Sequence, residues 1–224
     1  MRRTIIASVV LALGASCSTV HGVATKQTTG STVPHRNDKS IVNQVVLRLD
    51  DLPGQWTAGP TEADDQSQDA DIARCLDIPN SDPHKTAYAG SPQFQQGVVQ
   101  ISSQASIYDS ASVVQSDLRG AQGSSFIRCE TRAFNAVVSG GSNLKMHLAP
   151  LPAAARGLDG FRIQGSARVT SGGKTATVSF DEVGLAKGRL EASVNLLSVQ
   201  LAEPSGLMDR ATAALAPRLA DAGG

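Results

Sequence analysis

The sequence predicts a single α+β domain: a twisted antiparallel sheet of about five strands, ending in a C-terminal meander and flanked by helices. Two observations carry this expectation. Several segments alternate apolar and polar residues with a period of two, the mark of strands with one buried face. Others space their apolar residues three or four apart, which places them on one side of a helix.

Taken in order, Ile41, Val42, Val45, Val46 and Leu49 fall at helical spacing, and Asp50-Asp51-Leu52-Pro53-Gly54 ends the run with turn chemistry. Trp56, the only tryptophan, is placed to plug one end of the core. A polar loop from Thr61 to Gln68 leads into a short helix over Asp69 to Leu76 that carries Cys75, and Pro79, Asp82 and Pro83 break the chain again. Val99, Ile101, Ala105 and Ile107 then alternate with Gln100, Ser102, Gln104 and Ser106 as a strand. Asp109 or Ser110 can cap a helix bearing Ala111, Val114 and Leu118, which Gly120 and Gly123 interrupt. The next helix presents Phe126, Cys129, Ala133 and Val137 on one face.

A short strand follows at Leu144, Met146 and Leu148, and then the meander. Its strands carry Phe161, Ile163, Ala167 and Val169, next Ala176, Val178 and Phe180, and last Leu190, Ala192, Val194 and Leu196. Ser171-Gly172-Gly173 and Ala186-Lys187-Gly188 are the turns between them. A final helix carries Leu207, Ala211, Leu215 and Leu219 after a Ser205 cap, with Pro217 expected to kink or fray its last turn. The helices are expected to gather on one face of the sheet. No internal repeat and no second domain is evident.

The N-terminus carries the strongest local signal. Arg2 and Arg3, the apolar run from Ile5 to Leu13 and Gly14-Ala15-Ser16 have the order of an export signal over residues 1–17. The apolar run is shorter than the ~20 residues a membrane-spanning helix needs. Residues 18–40, rich in Thr, Ser, Gly and Val, read as a flexible tether, which leaves 41–221 as the domain. The chain has 224 residues, and 41% of them are apolar but only 4% aromatic, so aliphatic side chains must build the core. Twenty basic and 20 acidic residues balance. That balance argues against nucleic acid, which calls for a basic face. Cys75 and Cys129 can bridge in an oxidising compartment or stand as buried free thiols.

Leu13-Gly14-Ala15-Ser16-Cys17 resembles a bacterial lipobox, with Gly14 where the family usually has leucine. The resemblance implies lipid attachment at Cys17; ordinary cleavage nearby, for instance after Ala24, is the alternative. Leu49-Asp50-Asp51-Leu52-Pro53-Gly54-Gln55-Trp56-Thr57, Ala73-Arg74-Cys75-Leu76, Ser91-Pro92-Gln93-Phe94 and Phe126-Ile127-Arg128-Cys129 resemble small actinobacterial secreted lipoproteins. More distantly, the layout is similar to the extracellular sensor domains of mycobacterial serine/threonine kinases and their stand-alone lipoprotein relatives. It is also similar to mycobacterial lipoproteins that share a fold with photosystem oxygen-evolving proteins. Those resemblances imply a twisted antiparallel sheet with helices, and ligand or partner binding rather than catalysis. None of the matched phrases is a known binding motif, so no site residue carries over.

The residues offer no catalytic constellation, metal set or cofactor motif. There is no Gly-x-Ser-x-Gly elbow, and His84 and His147 stand without the helpers that general-base work requires. Asp50-Asp51 and Asp64-Asp65 lack the alternating oxygen donors of a calcium loop, and Gly184-Leu185-Ala186-Lys187-Gly188 fits a hairpin better than a phosphate loop. The expected role is a binding module for an apolar or amphiphilic small molecule, sensor-like or carrier. It would touch the membrane through its lipid anchor alone. The alternative is an envelope scaffold whose polar sheet face meets a protein partner. Small residues such as Ala105, Ala167, Ala176, Ala192, Ala133 and Ala211 either allow close packing or leave room for a guest. Close packing is the expected use of these residues; a cavity, where one exists, is expected between the C-terminal helix and the meander, lined by Phe161, Phe180, Leu196 and Leu215. If Cys17 carries lipid, Cys17→Ser releases the protein from the membrane fraction; a variant that stays membrane-bound contradicts lipidation.

Overall fold

Backbone pairing along one central strand organises the molecule. The computed structural model describes residues 37–61, 64, 66–137, 144–171, 174–199 and 206–223, so Cys17, Ser205 and nearly all of the expected tether lie outside the described residues. Its strands are β1 (Thr57–Thr61), β2 (Lys85–Gly90), β3 (Pro92–Gln96), β4 (Val99–Tyr108), β5 (Lys145–Ala149), β6 (Asp159–Ser171), β7 (Lys174–Lys187) and β8 (Leu190–Val199). They form an eight-stranded sheet in the order β1-β3-β4-β8-β7-β6-β5. β2 also pairs with β4, on the edge that β3 uses and opposite β8. Every pairing is antiparallel.

The five expected strands are β4 to β8. The three additional strands lie where Gly59, Pro60, Gly90 and Pro92 interrupt alternation. β2 and β3 run as one segment broken at Ser91, where the register against β4 shifts by one residue. The side chain of Ser91 repairs that break: its Oγ accepts from the Ser103 amide at 2.9 Å, and its own amide donates to the Ser103 carbonyl at 2.8 Å.

The helices are α1 (Asp38–Val45), α2 (Gln66–Leu76), α3 (Ala111–Gln122), α4 (Ser124–Val137) and α5 (Leu207–Ala222). α1 begins three residues inside the stretch read as tether because Asp38 is structural. It is 2% exposed, and it accepts from the Thr86 hydroxyl at 2.6 Å and the Arg189 guanidinium at 3.3 Å. A carboxylate buried without such partners is costly. α1 ends at Val45, and Leu49–Asp51 forms a separate 3₁₀ turn.

Helices cover both faces of the sheet, not one. On the first face, Val42 and Val45 of α1 and Leu207, Met208, Ala211, Leu215 and Leu219 of α5 pack on Ile101, Ala105, Val183, Leu185, Ala192, Val194 and Leu196. Trp56 packs against the edge of this cluster, its indole N–H donating to the Pro53 carbonyl at 2.9 Å. On the second face, Ile72 of α2, Val114 and Leu118 of α3 and Phe126 of α4 meet Tyr108, Phe161, Ile163 and Phe180. α5 runs through Pro217 to Ala222 without fraying at the proline. Leu215, Ala216 and Leu219 are buried on both sides of the proline. Arg218 adds a clamp, donating to Asp51 at 2.9 Å and to the Val46 carbonyl at 3.3 Å. Burial of this apolar stripe outweighs the missing backbone donor.

Cys75 and Cys129 form a disulfide that joins α2 to α4, with Cα atoms 5.8 Å apart and a sequence separation of 54. Cys129 is buried. Chain-entropy arithmetic for such a loop gives about 4 kcal/mol. Replacing both cysteines by serine is therefore expected to lower Tm on the order of 10 °C. An unchanged melting curve would show that the bridge does not hold the fold.

Candidate functional site

The strand phase that reads as solvent-facing in the sequence is buried. On the second face, β4 contributes Ser102, Gln104 and Ser106, and β8 contributes Glu191, Ser193 and Asn195. The register sets them side by side: Ser106 by Glu191, Gln104 by Ser193, and Ser102 by Asn195. β7 adds Glu182 beside Asn195 and the side-chain-free Gly184 beside Ser193. Glu182 is fully enclosed, and Glu191 and Asn195 are 2% and 7% exposed.

Hydrogen bonding on this face is incomplete. Both amide atoms of Asn195 and the hydroxyl of Ser193 are buried without a hydrogen-bond partner. Each such atom costs about 1–3 kcal/mol relative to a satisfied one. Gln100, next along β4, also leaves its Oε1 unpartnered. Burial pushes the Glu191 carboxyl above its ordinary value, and the charge of Asp117 on α3 pushes the same way.

The surroundings of this polar floor differ from end to end. Near Glu191, the Lys85 ammonium lies 5.7 Å from the Tyr88 ring centre and 6.0 Å from that of Tyr108. It is also held by Asp82 at 3.2 Å and Asp64 at 3.4 Å. The Tyr88 hydroxyl donates to Gln104 at 3.3 Å. α3 and α4 close over this region with Val114, Leu118 and Phe126, whose ring meets Phe161 edge-on at 6.1 Å. Past Asn195 the same face turns apolar, with Leu197, Val178, Ala167 and Val169 clustered together. Phe180 lies over Gly165, where any Cβ would collide with the ring.

The structure divides the expected cavity residues. Phe161 and Phe180 are on the second face, near the polar floor, while Leu196 and Leu215 pack together on the first face under α5. The sheet lies between the two pairs, so these residues do not line one cavity. The reason is a change of phase within β7. Ala176, Val178 and Phe180 point to the second face, and after Asp181-Glu182 the apolar residues Val183 and Leu185 point to the first. Cys75 and Cys129 are joined as described, Cys17 lies outside the described residues, and the side chain of Ala133 is not among those described.

Other residues singled out in the sequence have local roles. His84 Nδ1 is 2.8 Å from Asp109, whose carboxyl this contact holds below its ordinary value. His147 is exposed on β5, beside Gln164. Asp51 accepts from the Arg48 amide at 2.7 Å as well as from Arg218. Among the described residues, no group of three or more His, Cys, Asp or Glu side chains is arranged to hold a metal ion. No described helix is long and apolar enough to cross a membrane.

Sequence reasoning missed Glu182, Glu191, Ser193, Asn195 and their β4 neighbours. The usable signal was Asp181-Glu182 in the middle of an apolar strand, where two adjacent acidic residues must point to opposite faces.

No protein-family model matches the chain, and no curated protein matches it. Among solved structures, it is similar to the extracellular domain of PknH from Mycobacterium tuberculosis. The identity is 8% and the TM-score 0.47, with 82% of this chain and 96% of that chain covered.

The environment of Glu191 gives a measurable pH dependence. Its carboxyl holds a proton to higher pH in the folded state than in the unfolded chain, where the ordinary value is 4.5. Its stabilising contribution is full below that value and is lost as pH rises through the folded value. Glu191→Gln is thus expected to melt close to wild type at about pH 4 and progressively above it as pH rises past the ordinary carboxyl value. A Tm difference that does not change with pH would contradict this.

Proposed function

We propose that the protein is an exported, non-catalytic binding domain, sensor-like or carrier, that takes up an amphiphilic small molecule against the second face of its sheet. One observation carries the reading. Asn195 and Ser193 keep buried polar atoms unpartnered in the middle of the fold, next to Glu182 and bordering the apolar cluster of Leu197 and Val178. A sequence selected for stability alone would put apolar side chains there. A ligand with a hydrogen-bonding head and an apolar body matches both halves of the surface.

Export is supported by the order of charge, apolar run and small residues in 1–17 and by a disulfide suited to an oxidising compartment. Lipid on Cys17, with a tether behind it, would hold the domain at the outer face of the cell membrane. In this reading Phe161 and Phe180 belong to the apolar surroundings of the site, and Leu196 and Leu215 belong to the core beneath α5.

The test is a thermal-shift series with single-chain amphiphiles bearing neutral, anionic and cationic heads, each below its micelle concentration. A ligand bound by the folded state raises Tm with concentration, by about 2.7 kcal/mol of stability at a hundred times its Kd. The double variant Ser193→Val, Asn195→Leu is expected to melt above wild type without ligand and to lose the ligand-dependent rise. If no amphiphile shifts Tm, the binding reading fails and the envelope-scaffold reading replaces it.

A further inference from the structure

Asn195, Ser193 and Gln100 share the second face by strand phase, since their neighbours Val99, Ile101, Val194 and Leu196 point into the first-face core. Ser193 lies two residues before Asn195 on β8, and Gln100 of β4 is opposite Leu197, two residues after it. The three side chains therefore follow one another along the strands, with Asn195 in the middle. Both amide atoms of Asn195 are buried without a partner, so a donor and an acceptor stand side by side in one plane. Gln100 Oε1 adds an unpartnered acceptor on one flank, and Ser193 Oγ an unpartnered hydroxyl on the other. Gly184, opposite Ser193 on β7, has no side chain. Past Asn195 the face turns apolar, with Leu197, Val178 and Val169.

From this arrangement we infer that the ligand's head is a primary carboxamide on an apolar chain, paired with the Asn195 amide. The inference rests on the binding role proposed above. A carboxamide carries N–H and C=O side by side, so it donates to Asn195 Oδ1 and accepts from Asn195 Nδ2 in one planar pair of near-linear hydrogen bonds. Its second N–H then points to one flank, where Gln100 Oε1 accepts. The remaining lone pair of its carbonyl points to the other, where the Ser193 hydroxyl donates. Its chain lies over Leu197, Val178 and Val169. Other heads leave part of this set unanswered. A carboxylate or an ester brings acceptors alone, an ammonium donors alone, and a hydroxyl a single donor. A polar site discriminates through what the wrong head lacks, because each buried atom left unpaired keeps its desolvation cost.

The experiment is calorimetric titration of the purified protein with octanamide, N-methyloctanamide, N,N-dimethyloctanamide, n-octylammonium and n-octanoate. These share a chain and differ in the hydrogen bonds their heads can make. Octanamide is expected to bind about tenfold or more tightly than N,N-dimethyloctanamide, which keeps the carbonyl but has no N–H. N-Methyloctanamide, whose trans geometry sets N–H and C=O on opposite sides, is expected to lose most of that advantage. The two charged heads are expected to bind no better than the dimethylamide. Gln100→Leu is expected to weaken octanamide about threefold or more and to leave N,N-dimethyloctanamide unchanged. Asn195→Leu is expected to abolish the difference between the two. It is also expected to melt no lower than wild type, because it removes unpartnered buried atoms. If N,N-dimethyloctanamide or either charged head binds as tightly as octanamide, binding stands and the carboxamide inference falls. It falls too if Asn195→Leu keeps the full preference. If none of the probes binds, both fall. The wild-type series decides without relying on any variant.

Discussion

Strands β4, β8 and β7 are covered by helices on both sides, and this constraint shapes everything else in the fold. A side chain on a central strand covered in this way meets the interior whichever way it points. The first face answers with Val, Leu, Ile and Ala, against which α1 and α5 close. Burying each aliphatic side chain there stabilises the fold by about 1.5–3 kcal/mol. Where acidic groups are buried around that face they are matched: Asp38 by Thr86 and Arg189, Asp51 by Arg218, and Asp181 by Arg162 and Gln164. Thr212 of α5 is a buried neutral polar residue whose hydroxyl is unpartnered.

The second face treats its polar groups differently. The same chain that pairs Asp181 on one side of β7 leaves Asn195 and Ser193 unpartnered on the other. Polar atoms left so are costly in a low-dielectric interior. A fold able to build the Arg162–Asp181–Gln164 cluster has the means to avoid that cost. Its persistence beside Glu182 is the physical ground for placing function there. The frame around it is firm. Gln115 and Gln122 tie α3 to β6 at Asp159 and the Gly160 carbonyl, and the disulfide fixes α2 against α4.

Much of this was legible in the sequence. Strict alternation located β4, β6, β7 and β8, and four-residue spacing located the buried stripe of α5. β1, β2 and β3 were hidden because proline, glycine and the Ser91 bulge break their period. The α+β class follows from the strands alone, but the placement of helices on both faces does not. Local periodicity records which residues share a face without saying what covers it. The same limit hid the site. Ser102, Gln104, Ser106, Ser193 and Asn195 look like an ordinary solvated phase in the sequence, yet the fold buries all five. Phe161 and Leu196 both sit on well-formed apolar phases, and only the strand register shows that those phases face opposite ways.

The most direct test of the central claim is native mass spectrometry on the protein isolated from the envelope of its own host, without exchange into detergent. The expected spectrum shows a small-molecule adduct beyond the polypeptide and any covalent lipid, strongly reduced in the Ser193→Val, Asn195→Leu double variant. A wild-type protein that always flies as the bare chain, however gently prepared, would contradict a ligand site on the second face of the sheet.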